Sequence, residues 1–136
     1  MITAVDSSVL IDVLFGDATF GLRSAAALHD AANAGSLVAC DVVWAEVAGS
    51  TRSWHGYLHA LHDLGVNYLP VSSEAAVAAG ATWAQYRATG GPHDRMVPDF
   101  LVGAHALTQA DRLLTRDRGF YRRYFETLTI LDPTKA

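Results

Sequence analysis

Short apolar runs alternate along the chain with longer stretches whose apolar positions recur at helical spacing, the pattern of an α/β domain. Residues 2–5 read as a buried strand, and Ser7 or Ser8 suits the cap of a helix reaching about Leu14. Residues 21–34 read as a second helix, ended by Gly35. Residues 37–40 form the next strand, and Asp41 is placed to cap the helix that follows. Residues 53–64 read as a helix with Trp54, Leu58 and Leu61 on one face, closed by Gly65. A third strand over 66–69 stops at Pro70, and Ser72 or Ser73 caps a long helix to about Thr89. Gly90-Gly91-Pro92 breaks the chain, and Pro98 suits the first turn of a helix to about Gln109. Strands at 113–115 and 128–131 bring the count to five.

Four carboxylates stand against this pattern. Asp6 ends Met1-Ile2-Thr3-Ala4-Val5, and Glu46 lies inside Val42-Val43-Trp44-Ala45-Glu46-Val47-Ala48. Asp99 opens the apolar segment after Pro98, and Asp117 follows the run Arg112-Leu113-Leu114-Thr115 by two residues. A charge beside a core costs free energy unless it is paired. Four that converge repel one another, so a hard cation is their natural partner. Ligands of parallel α/β sheets collect at the carboxyl ends of strands, where Asp6 and Asp117 both fall. Three of the acids have a bland reading of their own. Asp6 reads as a helix cap, Asp99 as a complement to the helix dipole, and Asp117 as a turn or ion-pair residue. Their joint placement points instead to a metal-dependent phosphoryl-transfer site.

Composition narrows the setting. At 136 residues and 51% hydrophobic, the chain is large enough for one domain with a real core. It shows no apolar stretch of membrane-spanning length and no secretory start, and its one cysteine, Cys40, reads as a small buried hydrophobe. A reduced, cytoplasmic setting is expected. The net charge of −4 argues against a general nucleic-acid binder, yet seven of the ten basic residues are arginines between positions 87 and 123. Guanidinium forks suit phosphate. Arg112, Arg116 and Arg118 flank Asp117 and are the expected contacts to an RNA backbone; the competing reading is a solvated face.

Four segments in series now carry a resemblance. They are Val5-Asp6-Ser7-Ser8-Val9-Leu10-Ile11, Val43-Trp44-Ala45-Glu46-Val47, the stretch from Pro98-Asp99-Phe100 to Leu107, and Leu114-Thr115-Arg116-Asp117-Arg118-Gly119-Phe120. Together they resemble PIN-domain nucleases, and among these the VapC-like toxins of bacterial toxin–antitoxin pairs. The resemblance covers the whole chain in order. It implies a single PIN-like domain over residues 1–136, a three-layer α/β/α fold with a central, mainly parallel sheet of about five strands. It implies that Asp6, Glu46, Asp99 and Asp117 bind Mg²⁺ or Mn²⁺ and carry catalysis, with Asp6 central. Thr115 resembles the family's hydroxyl position and Ser7 the small hydroxyl residue after the first aspartate; helix capping is the other reading of Ser7. Oxygen ligands suit these ions without any thiolate. Hydrolysis of RNA leaving a 5′-phosphate and a 3′-hydroxyl, a cognate antitoxin that masks the acidic groove, and a homodimer are further implications.

Other features of the chain have plainer readings. His55, His59 and His62 share helical spacing; a transition-metal patch is one account, a half-exposed helix flank the one we adopt. Phe120, Tyr121, Tyr124 and Phe125 suit stacking of bases but read better as core. Two competing classes stay open: a phosphoryl-accepting α/β regulatory domain, and a catalytically silent RNA-binding domain. Asp6-Ser7-Ser8 lacks a second aspartate two residues on, and the only lysine is Lys135, which disfavours the first.

Overall fold

The computed structural model describes residues 1–90, 97–117 and 119–135, without the side chain of Trp54. In chain order the elements are β1 (Ile2–Val5), α1 (Ser7–Leu14), α2 (Gly21–Ala34), β2 (Ser36–Ala39), α3 (Asp41–Gly49) and α4 (Trp54–Asp63). There follow β3 (Val66–Tyr68), α5 (Ser73–Ala88), α6 (Pro98–Gln109), β4 (Arg112–Leu114), α7 (Phe120–Tyr124) and β5 (Ile130–Leu131).

The five strands form one parallel sheet in the order β3-β2-β1-β4-β5. The chain steps outward from β1 to β3, then crosses back to β4 and β5. Parallel connections are right-handed, so the two directions of travel put helices on opposite faces and make three layers. Strands covered on both faces read as nearly unbroken apolar runs, as 2–5, 37–39 and 113–114 do. The core joins Val5, Leu10, Leu37, Val43, Val47, Phe100, Leu113 and Leu114, all buried.

The reversal of direction places a crevice between β1 and β4. Val5 lies opposite Leu114 in the register. The next residues, Asp6 and Thr115, therefore leave the sheet side by side, with the Asp6 amide donating to the Leu114 carbonyl at 2.9 Å. Such a switch point is where parallel α/β sheets bind ligands.

Ser72 caps α5 as expected, accepting from the Ala75 amide at 3.1 Å. Asp41 does not cap α3: Cys40 occupies the cap position and Asp41 is the first helical residue. Its carboxylate instead accepts from the Val71 amide at 3.0 Å, tying α3 to the segment after β3. The stripe expected on α4 also shifts: Leu61 is buried, but Leu58 is exposed. The short helix α7 has no counterpart in the sequence reading. Two glycines are required by close approach. A Cβ at Gly35 would collide with the Met1 carbonyl, and one at Gly103 with the Phe125 ring.

Candidate acidic site

Asp6 follows β1 and is the N-cap residue of α1, yet its carboxylate makes no capping bond. It faces across the crevice. One oxygen accepts from the Thr115 hydroxyl at 2.7 Å and from the Ser8 hydroxyl at 3.0 Å. Thr115 is itself buried, so its hydroxyl is fixed by the strand it ends. Ser7 does not cap the helix either; its hydroxyl donates to Glu46 at 3.2 Å. The Ser-Ser pair after Asp6 thus serves two different acids, and Ser8 was missed because its capping reading was sufficient in sequence.

Glu46 projects from α3 and Asp99 from the first turn of α6, two helices that pack together. Glu46 is exposed on its outer side, while its inner side is crowded enough to perturb the carboxyl. Burial, then the charges of Asp6 and Asp99, push its pKa up, against a lowering pull from Ser7. The Asp99 carboxyl is also raised, by burial first, then by Asp6 and Asp117, with the Tyr121 hydroxyl pulling it down. Asp6, Glu46 and Asp99 are therefore within electrostatic reach of one another, and among the described residues none of the three makes an ion pair.

Asp117 is differently engaged. One oxygen accepts from the amides of Gly119 at 2.9 Å and Tyr121 at 3.1 Å; the other accepts from the Arg122 amide at 3.2 Å and guanidinium at 3.1 Å. A carboxylate offers about four lone-pair sites, and all are taken. Asp117 is thus the anchor of α7, which begins after Gly119 in a left-handed conformation of φ 108°. Arg122 also reaches Asp132 at 3.6 Å. Asp117 bears on Asp99 electrostatically, but its side chain is closed over by its own helix.

The arginines flanking Asp117 do not form the expected set. Arg112 lies opposite Thr3, two positions back along β4 from its carboxyl end, and donates to the Thr3 hydroxyl at 2.9 Å. Arg116 grips Asp12 with both arms of its fork, at 2.6 and 3.0 Å, and lies over the Phe20 ring. Asp12 is buried and also accepts from Ser24 at 2.8 Å. As they stand, both guanidiniums are engaged with the scaffold, Arg112 at Thr3 and Arg116 at Asp12. Arg118 lies outside the described residues. The Asp12 pairing was hidden because its partner stands 104 positions away.

Two further features fall as read from sequence. Phe120, Tyr124 and Phe125 pack around Phe100. His55, His59 and His62 are exposed along α4. Cys40 is buried and free, and burial pushes its thiol pKa up, as for an inert core residue. No described helix is long and apolar enough to cross a membrane.

The PIN domain family model matches residues 3–126, and the chain belongs to that family. No curated protein matches the chain significantly. Among solved structures it is similar to VapBC2 from Rickettsia felis, bound to a DNA fragment from its promoter, with a TM-score of 0.75, 14% identity and coverage of 97% of this chain and 98% of that one. It is likewise similar to VapBC-1 from nontypeable Haemophilus influenzae, with a TM-score of 0.73, 19% identity and coverage of 99% and 100%. A toxin–antitoxin complex from Klebsiella pneumoniae aligns with a TM-score of 0.65, 20% identity and coverage of 96% and 97%. At these identities the likeness is one of fold.

Proposed function

We propose that this chain is a metal-dependent endoribonuclease, the toxin of a toxin–antitoxin pair acting in the cytoplasm. The observation that supports this reading is the meeting of Asp6, Glu46 and Asp99 at the switch point of the sheet, crowded enough to raise two of their carboxyls. A mutually repelling, oxygen-only donor set with no ion-pair partner among the described residues fits Mg²⁺ or Mn²⁺. Among the described residues, no three acidic, histidine or cysteine side chains are gathered closely enough to enclose an ion unaided. In this proposal water and substrate phosphate oxygens would supply the rest of the shell, as is usual for Mg²⁺.

In this proposal Asp6, Glu46 and Asp99 would hold the cation, and the chemistry it would supply is positive charge for the phosphoryl oxygens and activation of water. The chain's own work is orientation. Thr115 and Ser8 fix the Asp6 oxygen they share, and Ser7 steadies Glu46. Asp117 supports the cluster by seating α7 and by its charge near Asp99. Arg118 remains the proposed contact to the RNA backbone. The structural neighbours described as VapBC or toxin–antitoxin complexes support a cognate antitoxin as partner, and a homodimer belongs to the same proposal.

Mapping the 5′ ends of cellular RNAs after brief induction tests this reading. We expect a discrete set of new 5′-phosphate ends with the parent protein and none with Asp6→Asn. Identical patterns from the two proteins would overturn it.

A further inference from the structure

Beside the acidic site, a cleft of about 510 Å³ opens between α2 and the segment that follows β5. Ala26, Ala27, Leu131 and Pro133 give it an apolar lining, and Arg23 and Lys135 bring two cations to it. Its size and its mix of apolar surface with a few charged groups suit a ligand of nucleotide dimensions. Both cationic side chains are exposed, and among the described residues neither makes an ion pair. The acids of the cleft do not cancel them. Asp132 is buried and already engaged, accepting from the Thr134 amide at 2.9 Å and hydroxyl at 2.6 Å and lying 3.6 Å from Arg122. Asp30 is the one exposed acid in the lining. Two cations beside an apolar surface match a base flanked by phosphates.

The cleft also continues toward the acids. Leu131 ends β5, and its carbonyl accepts from the Thr115 amide at 3.0 Å; the Thr115 hydroxyl in turn donates to Asp6 at 2.7 Å. β5 stands two strands from β1, so about 10 Å separates their carboxyl ends. A smaller depression lined by Phe20, Arg116 and Asp117 shares Asp132 and Thr134 with the cleft, which makes the two recesses one track along this edge. Arg116 and Arg122 on that track are paired with acids, so Arg23 and Lys135 are the cations it offers to phosphate. Resting on the nuclease reading above, we propose that the cleft is a subsite for single-stranded RNA beside the scissile bond, one nucleotide laying its base on the apolar lining and its phosphates against Arg23 and Lys135.

The test is anisotropy of a short, fluorescently labelled single-stranded RNA of mixed sequence, titrated in EDTA across a range of salt. The parent is compared with the double variant Arg23→Ala/Lys135→Ala and with the charge-conserving Arg23→Lys/Lys135→Arg; thermal melts check folding. Each phosphate contact on a single strand adds roughly 0.7 to the salt slope, so two add about 1.4. Between about 50 and 200 mM salt the parent should therefore lose about sevenfold more affinity than the alanine variant, and the charge-conserving variant should follow the parent. Parent-like affinity and slope in the alanine variant would overturn the subsite. So would a change in its sedimentation with RNA binding intact, which would make the cleft a contact between copies. A charge-conserving variant that fails like the alanine one would also count against phosphate recognition. Cleavage in Mg²⁺ on the same preparations separates this inference from the reading beneath it. A parent that cleaves RNA while the alanine variant binds normally loses only the subsite; a parent that binds through the cleft without cleaving loses only the nuclease reading.

Discussion

Asp99 shows how much of the site is a conflict among single residues. Burial and the charge of Asp6 hold its proton more tightly in the folded chain than in the unfolded one. A carboxyl with a raised folded pKa destabilises the fold as pH climbs above the ordinary carboxylate range, about 4, because the folded state then loses a proton it binds better. The metal-free Asp99→Asn variant carries no charge to crowd. It should melt above the parent at about pH 7, with the gap closing as pH falls to about 4. Melts in chelator across that range check this, and a lower melting temperature at neutral pH would contradict the crowding. Asp132 runs the other way: despite the opposing effect of burial, Thr134, Arg122 and Lys135 lower its carboxyl, so its contribution fades in acid instead. Comparison of Asp99→Asn with the parent at each pH cancels that common background.

Among the elements, Arg116 is the clearest case of a residue whose sequence neighbours mislead. It stands beside Asp117, but it joins the segment after β4 to α1 and α2 through Asp12, Ser24 and Phe20. Its side chain is 19% exposed and that of Asp12 only 3%. Removing one member of a buried pair leaves the other uncompensated and costs roughly 3–5 kcal/mol. Ser24 still donates to Asp12, which favours the lower end. Arg116→Ala should therefore lose about 3 kcal/mol in urea unfolding, with the salt dependence of RNA binding unchanged. A loss below about 1 kcal/mol together with a flatter salt slope would return Arg116 to the phosphate contacts. The elements themselves were legible where local chemistry is decisive: apolar runs for β1 and β2, Ser72 for the start of α5, Pro98 for α6. The helix α7 was not. Its start depends on the Asp117 side chain reaching three amides, a long-bonded turn that periodicity does not register. Five residues are also too few for a helical pattern to stand out.

For the whole molecule, topology decides which strand ends lie together. Strand order cannot be read from strand identity, so the strand pattern alone supported Asp6 and Asp117 only as two strand-end acids. The sheet order puts the ends of β1 and β4 side by side, and packing of α3 on α6 adds Glu46 and Asp99. Asp117 arrives at the same edge but turns its oxygens into α7. Four acids were legible as a set; that Asp117 spends its carboxylate on the amides and guanidinium of α7 was not. The account stands on that edge being a metal-dependent site for RNA cleavage. The most direct measurement is cleavage of an end-labelled single-stranded RNA by purified protein, in Mg²⁺ or Mn²⁺ and in EDTA, with Asp6→Asn alongside and its fold checked by circular dichroism. The account predicts products with a 5′-phosphate and a 3′-hydroxyl in either metal, with none in EDTA and none from folded Asp6→Asn. Undiminished cleavage in EDTA, or by Asp6→Asn, would contradict it.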